Sequence, residues 1–287
     1  MSDKKKQHLV PCSYMKFFSY NYGEKSTRKC NVFYYDKHSK KIGYEIRTTE
    51  GVFHKRNYYT ILIGGRRNIE IENFLGKFEE KYADIYTNLI KNKYLEENDY
   101  INLMMFVSLQ LFRTNRGKQL INETLGNNIN DDISKISIPI FANEMTKILT
   151  KDFIFCLYKA PSNTNFITTD TPVFWRHLTS EELDPCGYEP FEFIFPLSSE
   201  YLILAFHNKS NLINKIPLEL RNNQFVECNN IDNAFMNRIN YEIGFYGNQG
   251  IISKRKEELN MYKSYTPNNT LKQLREYGKI CFIRENK

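Results

Sequence analysis

The chain is poor in the residues that staple or punctuate small folds: among 287 residues there are one Trp, nine Pro, 13 Gly and six Cys. The cysteines, Cys12, Cys30, Cys156, Cys186, Cys228 and Cys281, form no CxxC pair and no Cys/His spacing of a zinc site, which excludes a finger, a ribbon or a disulfide framework. Reduced, mostly structural thiols are expected. No apolar run approaches the roughly 18 residues that a membrane span needs. The basic start MSDKKKQHLVP is followed by no apolar signal core, so a cytoplasmic protein is expected. Nucleotide and protease signatures are missing too, with no GxxxxGK[ST], HExxH or GxSxG, and no internal repeat. No helix carries a concentrated basic face and no helix-turn-helix spacing occurs, so there is no strong duplex DNA signature.

What is abundant is aromatic and charged. The 20 Tyr and 21 Phe describe a packed core, and 40 Lys and Arg against 33 Asp and Glu leave a net charge of +7. That excess is small for the length, and basic clusters such as Arg66 to Arg67 and Lys254 to Lys256 are followed closely by acidic residues.

Periodicity divides the chain. Asn31 to Gly64 alternates aromatic or β-branched residues with polar ones and predicts an antiparallel hairpin or meander. Beyond Gly64-Gly65 the period becomes helical through Phe74, Phe78, Ile85 and Leu89. A second helix is expected from Asn98 or Asp99 to about Gly117, and a third within IPIFANEMTKILT, lengthened by DDISKIS. From Lys151 the strand-length runs DFIFCLYKA, FITTD, FEFIFPL and YLILAFH predict a mainly antiparallel sheet. A late helix capped from Asn229, Asn230 or Asn233 and a last strand KICFIRE follow. Strands, then helices, then strands and a helix favour an α+β fold. It is read as one domain over 1–287, with a sub-division at 1–150 and 151–287.

Several polar residues interrupt apolar contexts. His8 precedes an apolar, aromatic segment that pins it, where a neutral imidazole can serve as base or hydrogen-bond partner, or simply dock a chain end. Gln110 and Arg113 share a face of the second helix, and Arg116 continues the row. An Arg on such a helix needs an anion to offset its desolvation. Either Glu79 braces it across the helices, or it also faces a substrate oxyanion. Asp170 in TTDTPV stands at a strand end, where it makes an Asx-type turn or presents a carboxylate to a base or metal role beside Thr169.

The order of these elements resembles a widespread, mainly bacterial family of unknown function. The likeness runs through QHLVPCSYMKFFS, with its His-x-x-Pro start, then FYYDKHSKK, NYYT, FLGKFEEKY, LQLFRTNRG, TTDTPV and FPLSS, ending at a late Asn-rich helix start. Asn115 stands where the family pattern has Pro. The resemblance implies that His8, Glu79, Arg113, Asp170 and Asn230 are its recurrent polar positions, and it brings no activity with it.

The residue types suit a hydrolase acting on a phosphodiester or nucleotide, a nuclease among them. His8 would be acid or base, Asp170 and Glu79 a second base or ligands of an optional divalent cation. Gln110, Arg113, Arg116, Thr169 and Asn230 would bind substrate. The alternative is a non-catalytic module that senses a ligand or binds a nucleotide, RNA or a protein, the same residues forming a structural ion-pair network. An open cleft would favour the first, a sealed and paired cluster the second. Oligomeric state is not legible.

Overall fold

The computed structural model describes residues 6–39, 43–126, 129–177, 191–220, 224–228 and 231–262. In chain order its strands are β1 Lys6–His8, β2 Asn31–Asp36, β3 Glu45–Thr48, β4 His54–Arg56, β5 Ile61–Ile63, β6 Arg66–Asn68, β7 Phe153–Lys159, β8 Thr168–Thr169, β9 Phe174–His177, β10 Phe191–Pro196, β11 Tyr201–His207, β12 Val226–Cys228 and β13 Gly250–Ser253. Its α-helices are α1 Cys12–Met15, α2 Glu70–Asn92, α3 Glu97–Phe112, α4 Asn115–Leu125, α5 Asp131–Asp152 and α6 Asn233–Tyr246. The fold is α+β, and every strand pairing among the described residues is antiparallel except β12 with β7.

The five-stranded sheet, ordered β12-β7-β11-β10-β9, is the middle layer. Its odd residues Phe153, Phe155, Leu157, Phe193, Phe195 and Ile203 enter one core with α2, α3 and α5. Its even residues Cys156, Ile194, Leu202, Leu204 and Phe206 enter a second core with Met236, Ile239 and Ile243 of α6. Burial on both faces is why these strands read as continuous apolar runs rather than as an alternation. Each fully buried large side chain contributes about 1.5–3 kcal/mol, so this layer carries much of the apolar driving force.

The N-terminal meander is completed from the far end of the chain. The second sheet runs β3-β2-β13-β8, with Ile251 opposite Tyr35 on one side and Thr169 on the other. FITTD therefore leaves the C-terminal sheet expected for it, because its strand is only Thr168–Thr169 and Asn240 of α6 receives the Ile167 N–H at 3.1 Å. Tyr14 ties the layers together. Its hydroxyl meets Thr168 Oγ1 at 2.8 Å and donates to the Pro196 carbonyl at 2.7 Å, and its ring stacks on Phe195.

The helices follow the expected stripes with corrected ends. On α2, Ile71, Leu75, Tyr82, Ile85 and Leu89 are buried, and Lys93 closes the helix with φ of 57°. The expected helix to Gly117 stops instead at Phe112, because Thr114 adopts an extended conformation and its Oγ1 caps α4 by accepting the Gly117 N–H at 3.1 Å. Arg116 consequently leaves the row of Gln110 and Arg113. The α6 cap is Asp232, whose carboxylate accepts from Phe235 N–H at 2.8 Å, rather than an Asn. The expected strand KICFIRE lies outside the described residues.

The α3–α4 corner leaves no room at Gly117. A Cβ there would lie 2.0 Å from the Leu111 carbonyl oxygen and 2.5 Å from Phe112 Cα, both backbone atoms. Gly117→Ala is expected to destabilise the protein by roughly 3 kcal/mol, the upper end of the overpacking range, in urea unfolding. An unchanged midpoint would contradict the corner described here.

Candidate functional site

Arg113 ends α3 fully enclosed, at 1% exposure, although its side chain is charged. Each guanidinium nitrogen has a partner. Nη1 donates to Glu79 Oε1 at 2.7 Å, Nη2 to the His8 carbonyl at 2.6 Å and Nε to the Tyr59 hydroxyl at 3.3 Å. Tyr59 returns a bond to the Arg113 carbonyl at 2.9 Å, and its ring lies 5.5 Å below the guanidinium carbon. Burial alone would lower the Arg113 pKa, yet Tyr59 and Glu79 hold it above its ordinary value. Gln7 extends the network, accepting from Tyr59 N–H at 2.6 Å and donating to Thr60 Oγ1 at 3.2 Å. One guanidinium thus joins α2, α3, β1 and the loop before β5.

The His8 ring points elsewhere. Its Nε2 lies 3.5 Å from Cys12 Sγ, and its ring centroid is 5.8 Å from that of His54, its partner across the β1–β4 pair. Burial first, then His54, pushes the imidazole down to about 4, against the opposing pull of a hydrogen bond that the ring donates to the Glu50 backbone. At neutral pH the ring is uncharged. Burial likewise pushes the Cys12 thiol up to about 12, so it is no ready nucleophile.

Asp170 belongs to a second cluster. It follows β8 at 1% exposure and accepts the backbone N–H groups of Asn248 and Gln249, both at 2.8 Å. Burial raises its pKa, against those bonds, a third from Gly250 and the nearby Lys37. Lys37, from FYYDK, is itself buried. It donates to the Gly247 and Phe245 carbonyls, and burial lowers it to about 8. Thr169 Oγ1 accepts from Thr171 N–H and donates to the Thr171 carbonyl, both at 3.1 Å. Asp170 and Lys37 therefore clamp the α6–β13 turn, where Gly250 approaches the Tyr34 ring so closely that a Cβ would lie 2.5 Å from it.

The structure brings His8, Glu79 and Arg113 into one network, the first through its carbonyl. Among the described residues Asp170 shares no hydrogen bond or ion pair with them. Arg116 sits 5.0 Å over the Tyr246 ring, on α6. Asn230 lies outside the described residues. Gln110 is wholly buried, and among the described residues neither end of its amide has a partner, nor do the buried Ser13 Oγ and Thr171 Oγ1 atoms. Among the described residues no group of three or more His, Cys, Asp or Glu is arranged to hold a metal ion, and no helix is long and apolar enough to cross a membrane.

A family model described as Protein of unknown function (DUF4238) matches residues 6–257. The chain belongs to this family. No curated protein and no solved structure matches it. The DUF4238 match spans both clusters, from β1 to the residues just past β13. Within it, Tyr59, Gln7 and Lys37 are as deeply engaged as the residues singled out by their polarity. Tyr59 and Lys37 sit in NYYT and FYYDK, and that pairing of aromatics with a polar tip was the available signal. Gln7 carried none, since a Gln beside a His in a basic N-terminal segment reads as solvated.

Two expectations follow. Replacing an unpaired buried amide by an apolar side chain of similar shape removes a desolvation penalty of about 1–3 kcal/mol, so Gln110→Met should hold or raise the melting temperature. A clear loss of stability would mean that the amide has a partner. The folded His8 pKa lies below the ordinary 6.5, so the unfolded chain binds the extra proton between 6.5 and about 4. Stability should fall as pH drops through that window, and His8→Gln should flatten the slope in chemical denaturation at stepped pH.

Proposed function

We propose that this protein is a non-catalytic binding module for a nucleotide-like ligand, RNA foremost, in which His8, Glu79, Arg113 and Asp170 form structural networks. The observation that carries this reading is the saturation of Arg113. To clamp a phosphoryl group Arg113 would have to release Glu79 at Nη1, exchanging one charge-assisted hydrogen bond of about 1.5–3 kcal/mol for another of the same kind. Its other two nitrogens are already committed to the His8 carbonyl and the Tyr59 hydroxyl, so the exchange brings no gain and bracing is favoured. Asp170 supports the same reading, since its Oδ1 is committed to two backbone N–H groups.

The hydrolase reading, with a phosphodiester or nucleotide as substrate, draws on one observation. His8 is neutral and only partly buried, as a base must be, although a pKa of about 4 makes it a weak one.

Fluorescence anisotropy with single-stranded RNA and a parallel cleavage assay separate the two. The binding module should show an affinity that falls with salt by a slope of about −0.7 per phosphate contact, and no turnover. Cleavage that drops about 100-fold in both His8→Ala and Asp170→Ala, with the fold intact, would establish the hydrolase instead.

A further inference from the structure

Tyrosine rings and two lysines meet at one groove on the surface. Among the exposed large hydrophobic side chains of the described residues only three are aromatic, and two of these, Tyr22 at 52% and Tyr20 at 40%, stand in the loop that follows Phe18. Tyr22 packs against Phe17 with ring centroids 5.0 Å apart, and Phe17 lies 4.4 Å from Tyr86 of α2. These rings line a groove of about 200 Å³ with Ser198, Glu200 and Lys254 at its other wall. Lys16 Nζ stands 5.1 Å from the Phe17 ring centre and 5.6 Å from that of Tyr22.

The groove is built on fixed walls. The Ser198 hydroxyl receives Tyr86 Oη–H at 2.9 Å and the backbone N–H groups of Glu200 and Tyr201 at 3.0 Å. Ser199 N–H donates to the Phe17 carbonyl at 3.1 Å, so the FPLSS turn, α2 and the aromatic N-terminal segment hold one another. Of the three rings that line it, Tyr22 is the one markedly exposed, at 52%.

Resting on the binding reading above, we propose that this groove takes one base of a single-stranded RNA, stacked on Tyr22 and backed by Phe17, with Lys16 and Lys254 meeting the flanking phosphates. Size bounds what the groove can take. A groove of about 200 Å³ is below the ~300 Å³ at which pockets enclose a drug-sized molecule, so it admits one ring and leaves sugar and phosphate outside. Charge agrees with this. Lys254 is held by Glu200 at 3.2 Å, but both side chains are well exposed, and such a pair is worth at most about 1 kcal/mol. A phosphate can take Lys254 over, and the freed Glu200 carboxylate can accept an exocyclic base amine. Lys25, exposed in the same loop, is bridged to Tyr22 through the backbone and adds a further cation beside that ring.

The test is anisotropy of a fluorescein-labelled ten-nucleotide oligoadenylate at low and high salt. Tyr22→Ala should weaken binding by about 5- to 150-fold, the range for losing one stacked base, and Tyr22→Phe should restore it. Lys254→Glu should weaken binding and make it less salt-dependent, while Tyr22→Phe, which keeps the ring on Phe17, separates lost stacking from lost stability. If wild type binds and all three variants bind equally well, the groove is wrong and the binding reading stands. If wild type does not bind at low salt, the binding reading itself has failed. Full displacement by AMP at its own saturating concentration, with no gain in affinity for the longer strand, would overturn the strand assignment in favour of a free nucleotide.

Discussion

A charged guanidinium with almost no contact with water is the constraint on which the rest of this structure depends. Arg113 is stable there only because three partners from different parts of the chain reach it together: Glu79 of α2, the His8 carbonyl of β1 and the Tyr59 hydroxyl. Removing any one leaves a buried charge short of a bond, so the network enforces a single arrangement of the N-terminal segment on the helices. The requirement extends outward. Gln7 must be buried to hold the Tyr59 backbone, and β1 must pair with β4 to place Gln7. The corner at Thr114 must turn at once, which is why Gly117 packs directly on the end of α3.

A similar logic operates at the opposite side of the five-stranded sheet. There Asp170 and Lys37 hold backbone groups of the α6–β13 turn, so a buried acid and a buried base each find partners mainly in the main chain. Tyr14 connects the two regions, its hydroxyl reaching β8 and the end of β10 while its ring packs with Tyr82, Phe106 and Phe195. The polar residues are thus distributed over two separate joints with an aromatic core between them. In contrast, the groove beside Tyr22 is walled by structural bonds through Ser198 and Ser199 but keeps a half-exposed ring at its edge.

The α+β class was legible because period changes are a local property. The helical stripe of α2 and the strand runs of β7, β10 and β11 are written in consecutive residues. What local pattern cannot carry is the partner of a short strand. Thr168–Thr169 is two residues long, so its membership in the sheet with β13 and β2 depends on Asn240 and Ile251, far along the chain. The Arg113–Glu79 pairing could be anticipated because an isolated Arg on an apolar helix demands an anion. Asp170 was visible as a strand-end carboxylate, but its partners are backbone groups, which no side-chain identity announces. The α3 boundary misled for a different reason: Thr114 and Asn115 are tolerated within helices, and the break rests on Thr114 turning extended to cap α4 while Gly117 packs against the end of α3.

The central claim is that Arg113 and Glu79 brace the fold, and a double-mutant cycle in urea unfolding tests it most directly, using Arg113→Met, Glu79→Leu and the combined variant. The account predicts that the singles each cost about 3–5 kcal/mol and that the double costs clearly less than their sum, because removing both charges leaves neither unpaired. Singles costing less than about 0.5 kcal/mol and adding without coupling would contradict it, since exposed and independent residues behave that way.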